Sequence, residues 1–245
     1  VRQGVAEVRE GLTFVLSLPL DVPGGRAMNP RRIPPRRYAV IRDGRSAGQQ
    51  GFCWAYDRED PDLTDVVNDD VVLLGLQYST QWDSLAHVGS RFDADGDGVA
   101  EAVFYNGFRA GVDIRPGTED ATADARGEPH ARYPDPEAGA LGIERLAEHG
   151  AQGRGVLIDL EHHIGRTRQA VGYDALMRLL EADGIAVEEG DMVCLHTGFA
   201  DTLLAMNRQP DLATLHATGS GLDGWDERLL NWIVDVRLAC LIADN

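Results

Sequence analysis

From residue 138 onward the chain alternates helical periodicities with short apolar runs, and this alternation limits the fold more than any other feature. Residues 138–149 carry Leu141, Ile143 and Leu146 at helical spacing and stop at Gly150. Residues 155–160 (Gly-Val-Leu-Ile-Asp-Leu) read as a strand. Residues 173–183 read as an amphipathic helix, with Leu176, Leu179 and Leu180 on one side and Gly184 as its stop. Residues 191–196 predict another strand, 199–207 and 225–236 further helices, and 238–242 a closing strand. Strand–helix alternation of this kind predicts an α/β domain. The first hundred residues are richer in strand-like sequence. The chain therefore divides into an N-terminal extension or arm, residues 1–64, and an α/β domain, residues 65–245.

Composition narrows the partners. The 245 residues suffice for one large domain or two small ones, and a 43% hydrophobic content allows a sizeable core. Net charge is −17, from 40 acidic and 23 basic residues. Binding to nucleic acid or anionic membranes relies on clustered cations, so neither partner is expected. No apolar stretch approaches the roughly 18 residues that span a bilayer. Every basic residue is Arg, which excludes a lysine base, a Schiff base and a P-loop lysine. Cys53, Cys194 and Cys240 are scattered without a C-x-x-C pair. They read as small apolar residues of a reducing compartment, and a cytoplasmic location is expected. The sequence begins at Val1 and ends in a strand-like run, so the protein is expected to continue beyond it. Residues 28–50, rich in Arg, Pro and Gly, read as a solvated arm, with packing on a partner subunit as the alternative. Residues 57–70 read as a surface connection, and 112–137, which include His130, as a long polar loop.

Functional side chains are densest at residues 77–87, Gln-Tyr-Ser-Thr-Gln-Trp-Asp-Ser-Leu-Ala-His. They follow an apolar run, 71–76, that reads as a buried strand. If the chain stays extended, Gln77, Ser79, Gln81, Asp83, Leu85 and His87 share one face. Amides, a carboxylate and an imidazole on a single face are costly to bury unless each is paired. The alternative is a polar segment whose side chains satisfy loop backbone. Asp83 can hold a divalent metal or orient an imidazole, and His87 can move protons near neutral pH. Gln77 and Gln81 offer carbonyl oxygens, which are weak metal ligands, and amide donors for a substrate. Other candidates rank lower. Asp93, Asp95 and Asp97 begin like a calcium loop, but the twelfth position, where a bidentate Glu belongs, is Phe104, and Glu101 comes three residues early. A tight turn between two strands is the expectation there. Glu161, His162 and His163 follow a strand end, where α/β folds place active groups. Adjacent His on a strand point oppositely, so at most one faces a site. His196-Thr197-Gly198 ends another strand and either lines a pocket or caps the next helix. No P-loop is present, since the chain has no Lys.

The 77–87 stretch resembles the motif H-x-G-T-H-x-D-x-P-x-H of the bacterial cyclase family, which includes metal-dependent kynurenine formamidases and isatin hydrolase. Thr80, Asp83 and His87 match it. Gln77 and Gln81 stand at the motif's first two His, Ser79 at its Gly and Leu85 at its Pro. Tyr105-Asn106-Gly107, the segment 153–159 and the segment from Gly190-Asp191 to Thr197-Gly198 resemble later parts of the family pattern, so the likeness covers roughly residues 65–245. It implies a swivelling β/β/α fold with a mixed, barrel-like sheet and flanking helices, assembled as a homodimer or larger homo-oligomer. It also implies an arylformamidase-like hydrolase for a small aryl or cyclic amide or lactone. The alternatives are a metal-free member that binds a small ligand, or a cyclase or lyase using the same site. In typical members zinc or manganese sits at the motif. Carried over by position, Asp83, Gln77 and Gln81 hold the metal and His87 is the acid/base with Asp83 beside it. Thr80, Trp82, Tyr105 and Asn106 line the substrate. Further ligands of the family pattern fall beyond Asn245. Zinc prefers imidazole, thiolate and carboxylate, so both Gln replacements bear directly on metal dependence.

Overall fold

The structure is a computed structural model and describes residues 2–40, 51–117 and 136–245. Its elements run α1 (Arg2–Ala6), β1 (Arg36–Ala39), β2 (Trp54–Ala55), β3 (Val66–Val67), β4 (Asp70–Leu73), β5 (Ser90–Phe92), β6 (Glu101–Val103), α2 (Glu144–His149) and β7 (Gly155–Asp159). They continue with α3 (Leu160–Ile164), β8 (Ala170–Val171), α4 (Tyr173–Asp183), β9 (Met192–His196), α5 (Phe199–Ala205), α6 (Leu212–His216), β10 (Gly221–Leu222), α7 (Glu227–Val236) and β11 (Cys240–Ala243). The result is a mixed α/β structure. Among the described residues its strands form small separate sheets and do not close into a barrel.

The largest sheet is parallel, with β9 between β7 and β11. Successive right-handed crossovers in one direction keep their helices on one face. Accordingly α4 and α7 both pack on the same core. Side chains alternate along the strands, so Val156 and Ile158 of β7 and Val193 and Leu195 of β9 are buried, and Ile158, Val193 and Leu195 pack with Leu176 and Leu180 of α4 and Leu229 of α7. The opposite face is open at Leu157, which is 61% exposed. Gly184, in the left-handed conformation, ends α4 as its sequence predicts. Asp226 caps α7 by accepting from the Arg228 and Leu229 amides and also accepts from Tyr173 N at 2.7 Å, which ties the starts of α4 and α7 together. A smaller cluster joins Val22 to Leu203 of α5 and Leu215 of α6.

Arg154 and Asp191 join the lower ends of β7 and β9. The guanidinium meets the carboxylate through two bonds, Nε to Oδ1 at 2.9 Å and Nη2 to Oδ2 at 2.6 Å, and reaches the Ala186 carbonyl at 2.9 Å. The Asp191 carboxylate also accepts from Glu188 N at 2.7 Å. The Arg154 hydrogen bonds hold this carboxyl below its usual range despite burial, which works the other way.

Three local expectations change. The run 71–76 is not a buried strand: β4 ends at Leu73, and Val71, Val72 and Leu76 are 52%, 47% and 77% exposed. Among the described residues β4 pairs with β1 alone, in a two-stranded sheet. The Arg-rich segment is in part that partner strand rather than only a solvated arm; its residues 41–50 lie outside the described residues. Glu161, His162 and His163 sit in the helix α3, not on a strand, because Asp159 caps the turn by accepting from His162 N at 2.9 Å. The Asp93–Asp97 segment does turn between antiparallel strands, β5 and β6. Residues 115 and 137 bridge the ends of the long polar loop, whose residues 118–135, His130 among them, lie outside the described residues.

If the helix-covered face is the core, Leu176→Ala, at a site 1% exposed, is expected to cost about 2–5 kcal/mol. Leu157→Ala on the open face is expected to cost less than about 0.5 kcal/mol. Urea unfolding of both variants measures the difference, and equal losses would contradict a one-sided core.

Candidate functional site

The 77–87 segment is not a strand: turns and bends at 76–80 and 85–88 flank an irregular stretch at 81–84, so alternate residues do not line up along it. The cause is the company that the segment keeps. Tyr78 buries its ring and donates its hydroxyl to the Gly25 carbonyl at 2.8 Å. Ser79 donates to the Pro19 carbonyl at 2.9 Å, and Thr80 Oγ1 accepts from Leu18 N at 3.0 Å. These bonds anchor residues 78–80 on the N-terminal segment and release 81–87 from any strand register. The turn then continues through His87 N to the Ser84 carbonyl at 3.0 Å.

The turn brings Asp83 and His87 together. His87 Nε2 lies 3.7 Å from Asp83 Oδ1, and Gln81 Nε2 lies 3.4 Å from the same oxygen. A cleft of about 460 Å³ opens over the pair, lined by Asp83, Ser84, Leu85, His87, Val88 and Tyr105. Gln77, Thr80, Trp82 and Asn106 do not line it. Asn106 holds a left-handed backbone (φ 55°) in the turn that presents Tyr105.

The donor set at this cleft does not fit a zinc or manganese centre. It has one carboxylate and one imidazole. Its nearest further group, Gln81, turns an amide nitrogen toward Asp83 instead of an oxygen toward a metal. Among the described residues two other groups gather three or more ionisable ligand atoms within 4.8 Å of one another: Glu161, His196 and Asp201, and Asp93, Asp95, Asp97 and Glu101. In the first, the Arg166 guanidinium already lies against both carboxylates, on Glu161 and at 3.5 Å from Asp201. In the second, the carboxylates are taken up by the amides of their own turn, such as Asp93 Oδ1 accepting from Gly96 N at 2.7 Å and Oδ2 from Gly98 N at 2.9 Å.

A second polar constellation forms where the parallel strands end. In register, Asp159 of β7 lies beside His196 of β9, and Asp244 follows β11 on the same row. His196 Nδ1 is 3.0 Å from Asp159 Oδ1, and its Nε2 is 3.4 Å from Glu161 Oε2. Asp244 accepts from Thr197 N at 2.8 Å and Thr197 Oγ1 at 2.7 Å, fixing the start of α5. Gly198 makes this fit possible: it has φ +75°, and a Cβ there would stand 2.5 Å from Glu161 Oε2. Burial opposes the charged form of His196, but the hydrogen bond and charge of Asp159, with Asp244 and Glu161 behind it, outweigh burial and raise its pKa. For Asp159 burial is likewise outweighed, here by bonds from His162 N and His196, and its pKa falls. In the sequence Glu161–His163 and His196–Gly198 read as two separate candidates, whereas the fold brings Asp159, Glu161 and His196 together. The signal was available, since Asp159 and His196 each sit at the end of an apolar run, and adjacent parallel strands place such ends side by side.

The two shifts give a sign to the pH response. Relative to ordinary values of 3.8 and 6.5, Asp159 is depressed and His196 raised. The Asp159 contribution is present above the first value and lost as pH falls through its lowered native pKa. The His196 contribution is complete below the second value and lost as pH rises through its raised native pKa. Both operate fully between the two ordinary values. The melting-temperature loss in His196→Asn is therefore expected to be larger at about pH 5.5 than at about pH 8.5. A loss independent of pH would show that the imidazolium–carboxylate pair contributes nothing.

Comparison with known proteins agrees with this organisation. The family model described as "Putative cyclase" matches residues 16–245. A crystal structure described as that of "a novel cyclase" superposes with a TM-score of 0.62 at 22% identity, covering 100% of this chain and 68% of that one, which shows a shared fold. A search of curated proteins gives no match. No helix among the described residues is long and apolar enough to cross a membrane. The family match takes in both the Asp83–His87 turn and the strand-end row, and the chain belongs to the cyclase family.

Proposed function

We propose that the protein is a hydrolase for a small aryl or cyclic amide or lactone, with His87 as general acid/base and Asp83 as the group that orients it. The observation that carries this is the Asp83–His87 approach of 3.7 Å in a cleft that Leu85, Val88 and Tyr105 also line. The two aliphatic side chains and the phenol ring suit a flat apolar body. The imidazole suits proton transfer as a general acid/base. In the proposed cycle His87 takes a proton from water as the water oxygen attacks the carbonyl carbon. Asp83 stabilises the imidazolium that forms. The same proton then passes to the leaving nitrogen or oxygen as its bond to the carbonyl carbon breaks. Tyr105 offers a hydroxyl donor to the carbonyl oxygen.

The thin donor set favours metal-independent turnover and motivates a second reading, a member that binds such a carbonyl compound without hydrolysing it. Turnover of N-formylkynurenine, isatin and simple aryl lactones separates the two. His87→Ala is expected to lower kcat/KM at least about 10²-fold on whichever substrate is turned over; equal activity in the variant would remove His87 from the mechanism. Treatment with EDTA, followed by zinc or manganese, is expected to leave the rate unchanged. Loss on chelation with recovery on metal addition would restore a metal to the site.

A further inference from the structure

We infer that a second cavity, bounded by β8, β10, the start of α5 and the end of α6, is a binding site for a small organic anion with an apolar body, such as an arylalkyl carboxylate. It is an open concavity of about 470 Å³, within the range of roughly 300–1,000 Å³ typical of small-molecule sites. None of its lining residues belongs to the Asp83–His87 cleft.

Charge is the first argument. Acidic residues number 40 in the chain, yet no Asp or Glu lines this cavity, while Arg168 and His216 do. Arg154, Arg166, Arg208, Arg228 and Arg237 each face a carboxylate. The Arg168 guanidinium has no carboxylate within ion-pair distance among the described residues, and only its backbone amide is engaged, with the Ala217 carbonyl at 2.8 Å. In a protein of net charge −17, an unpaired guanidinium at a concavity that no Asp or Glu side chain lines is suited to an anion.

The second argument is prior satisfaction. The amide NH2 of Asn245 donates to the Ser220 carbonyl at 2.6 Å, that of Gln169 to the Ile164 carbonyl at 3.2 Å, and Thr218 donates to the Thr214 carbonyl at 2.8 Å. These bonds fix the polar rim and leave Arg168 and His216 to meet a ligand. The third is shape. Phe199 and Leu215 belong to the cluster around Val22, so the apolar wall is held from behind and needs no reordering on binding. Gly221 keeps the space clear: no heavy atom lies within 4 Å of where its Cβ would stand. The site holds whether or not the Asp83–His87 cleft hydrolyses anything.

Calorimetric titration of the 245-residue chain with phenylacetate, phenylacetamide and phenethylamine tests the assignment. Phenylacetate is expected to bind saturably, the neutral amide at least about tenfold more weakly, and the amine not at all. Arg168→Gln is expected to weaken phenylacetate about tenfold. Gly221→Val, which fills the cavity, is expected to abolish binding while thermal melting stays cooperative. His87→Ala is expected to leave binding unchanged. Equal affinity for acid and amide, no response to Arg168→Gln, no saturable binding at millimolar phenylacetate, or loss in His87→Ala alone would each overturn it.

Discussion

The Arg154–Asp191 pair is the constraint on which the rest of the parallel sheet depends. Its two parallel bonds fix the relative height of β7 and β9, and the backbone at the same two residues extends the link. The Arg154 carbonyl accepts from Met192 N, and the Asp191 carbonyl accepts from Ala239 N, just before β11. One buried carboxylate thus organises the lower ends of all three strands. A planar guanidinium suits this task because its bidentate geometry sets angle as well as distance. Register set at the bottom determines what meets at the top. A slip of one residue would carry Asp159 and His196 to opposite faces.

The sheet therefore has two chemically distinct ends. At the lower end the charges are mutually satisfied and enclosed, and they hold the strands together. At the upper end Asp159, His196, Glu161, Arg166 and Asp201 form a more exposed chain of alternating charges, with Asp244 anchoring α5 beside it. The Asp83–His87 turn is a third arrangement, braced on the N-terminal segment through Thr80, Ser79 and Tyr78. Its geometry comes from contacts more than fifty residues distant in sequence.

That distance explains what could be read from the sequence. The periods of α4, β9 and α5, and the glycine stop of α4, were legible because each is decided locally, by apolar spacing and a left-handed glycine. The Asp83–His87 pair was legible because the two lie one short turn apart. The conformation of 77–87 was not, because period-two spacing fits an extended chain as readily as a folded one, and only the bonds to Leu18, Pro19 and Gly25 choose between them. The placement of Glu161 was missed for a related reason. Asp159 ends the strand one residue early and turns the chain into α3. The row Asp159–His196–Asp244 was signalled only as the ends of three apolar runs; which ends become neighbours depends on the order of the parallel strands, which composition and spacing do not encode.

Asp159 uses a single oxygen twice. Oδ1 accepts from the His162 amide, which begins α3, and also faces His196 Nδ1. An acceptor shared between a helix end and an imidazole ties the two together: Oδ1 holds the first turn of α3 and the His196 ring at once. Glu161 rides on that turn, so a single carboxylate on one strand sets the position of both acidic groups that face the imidazole.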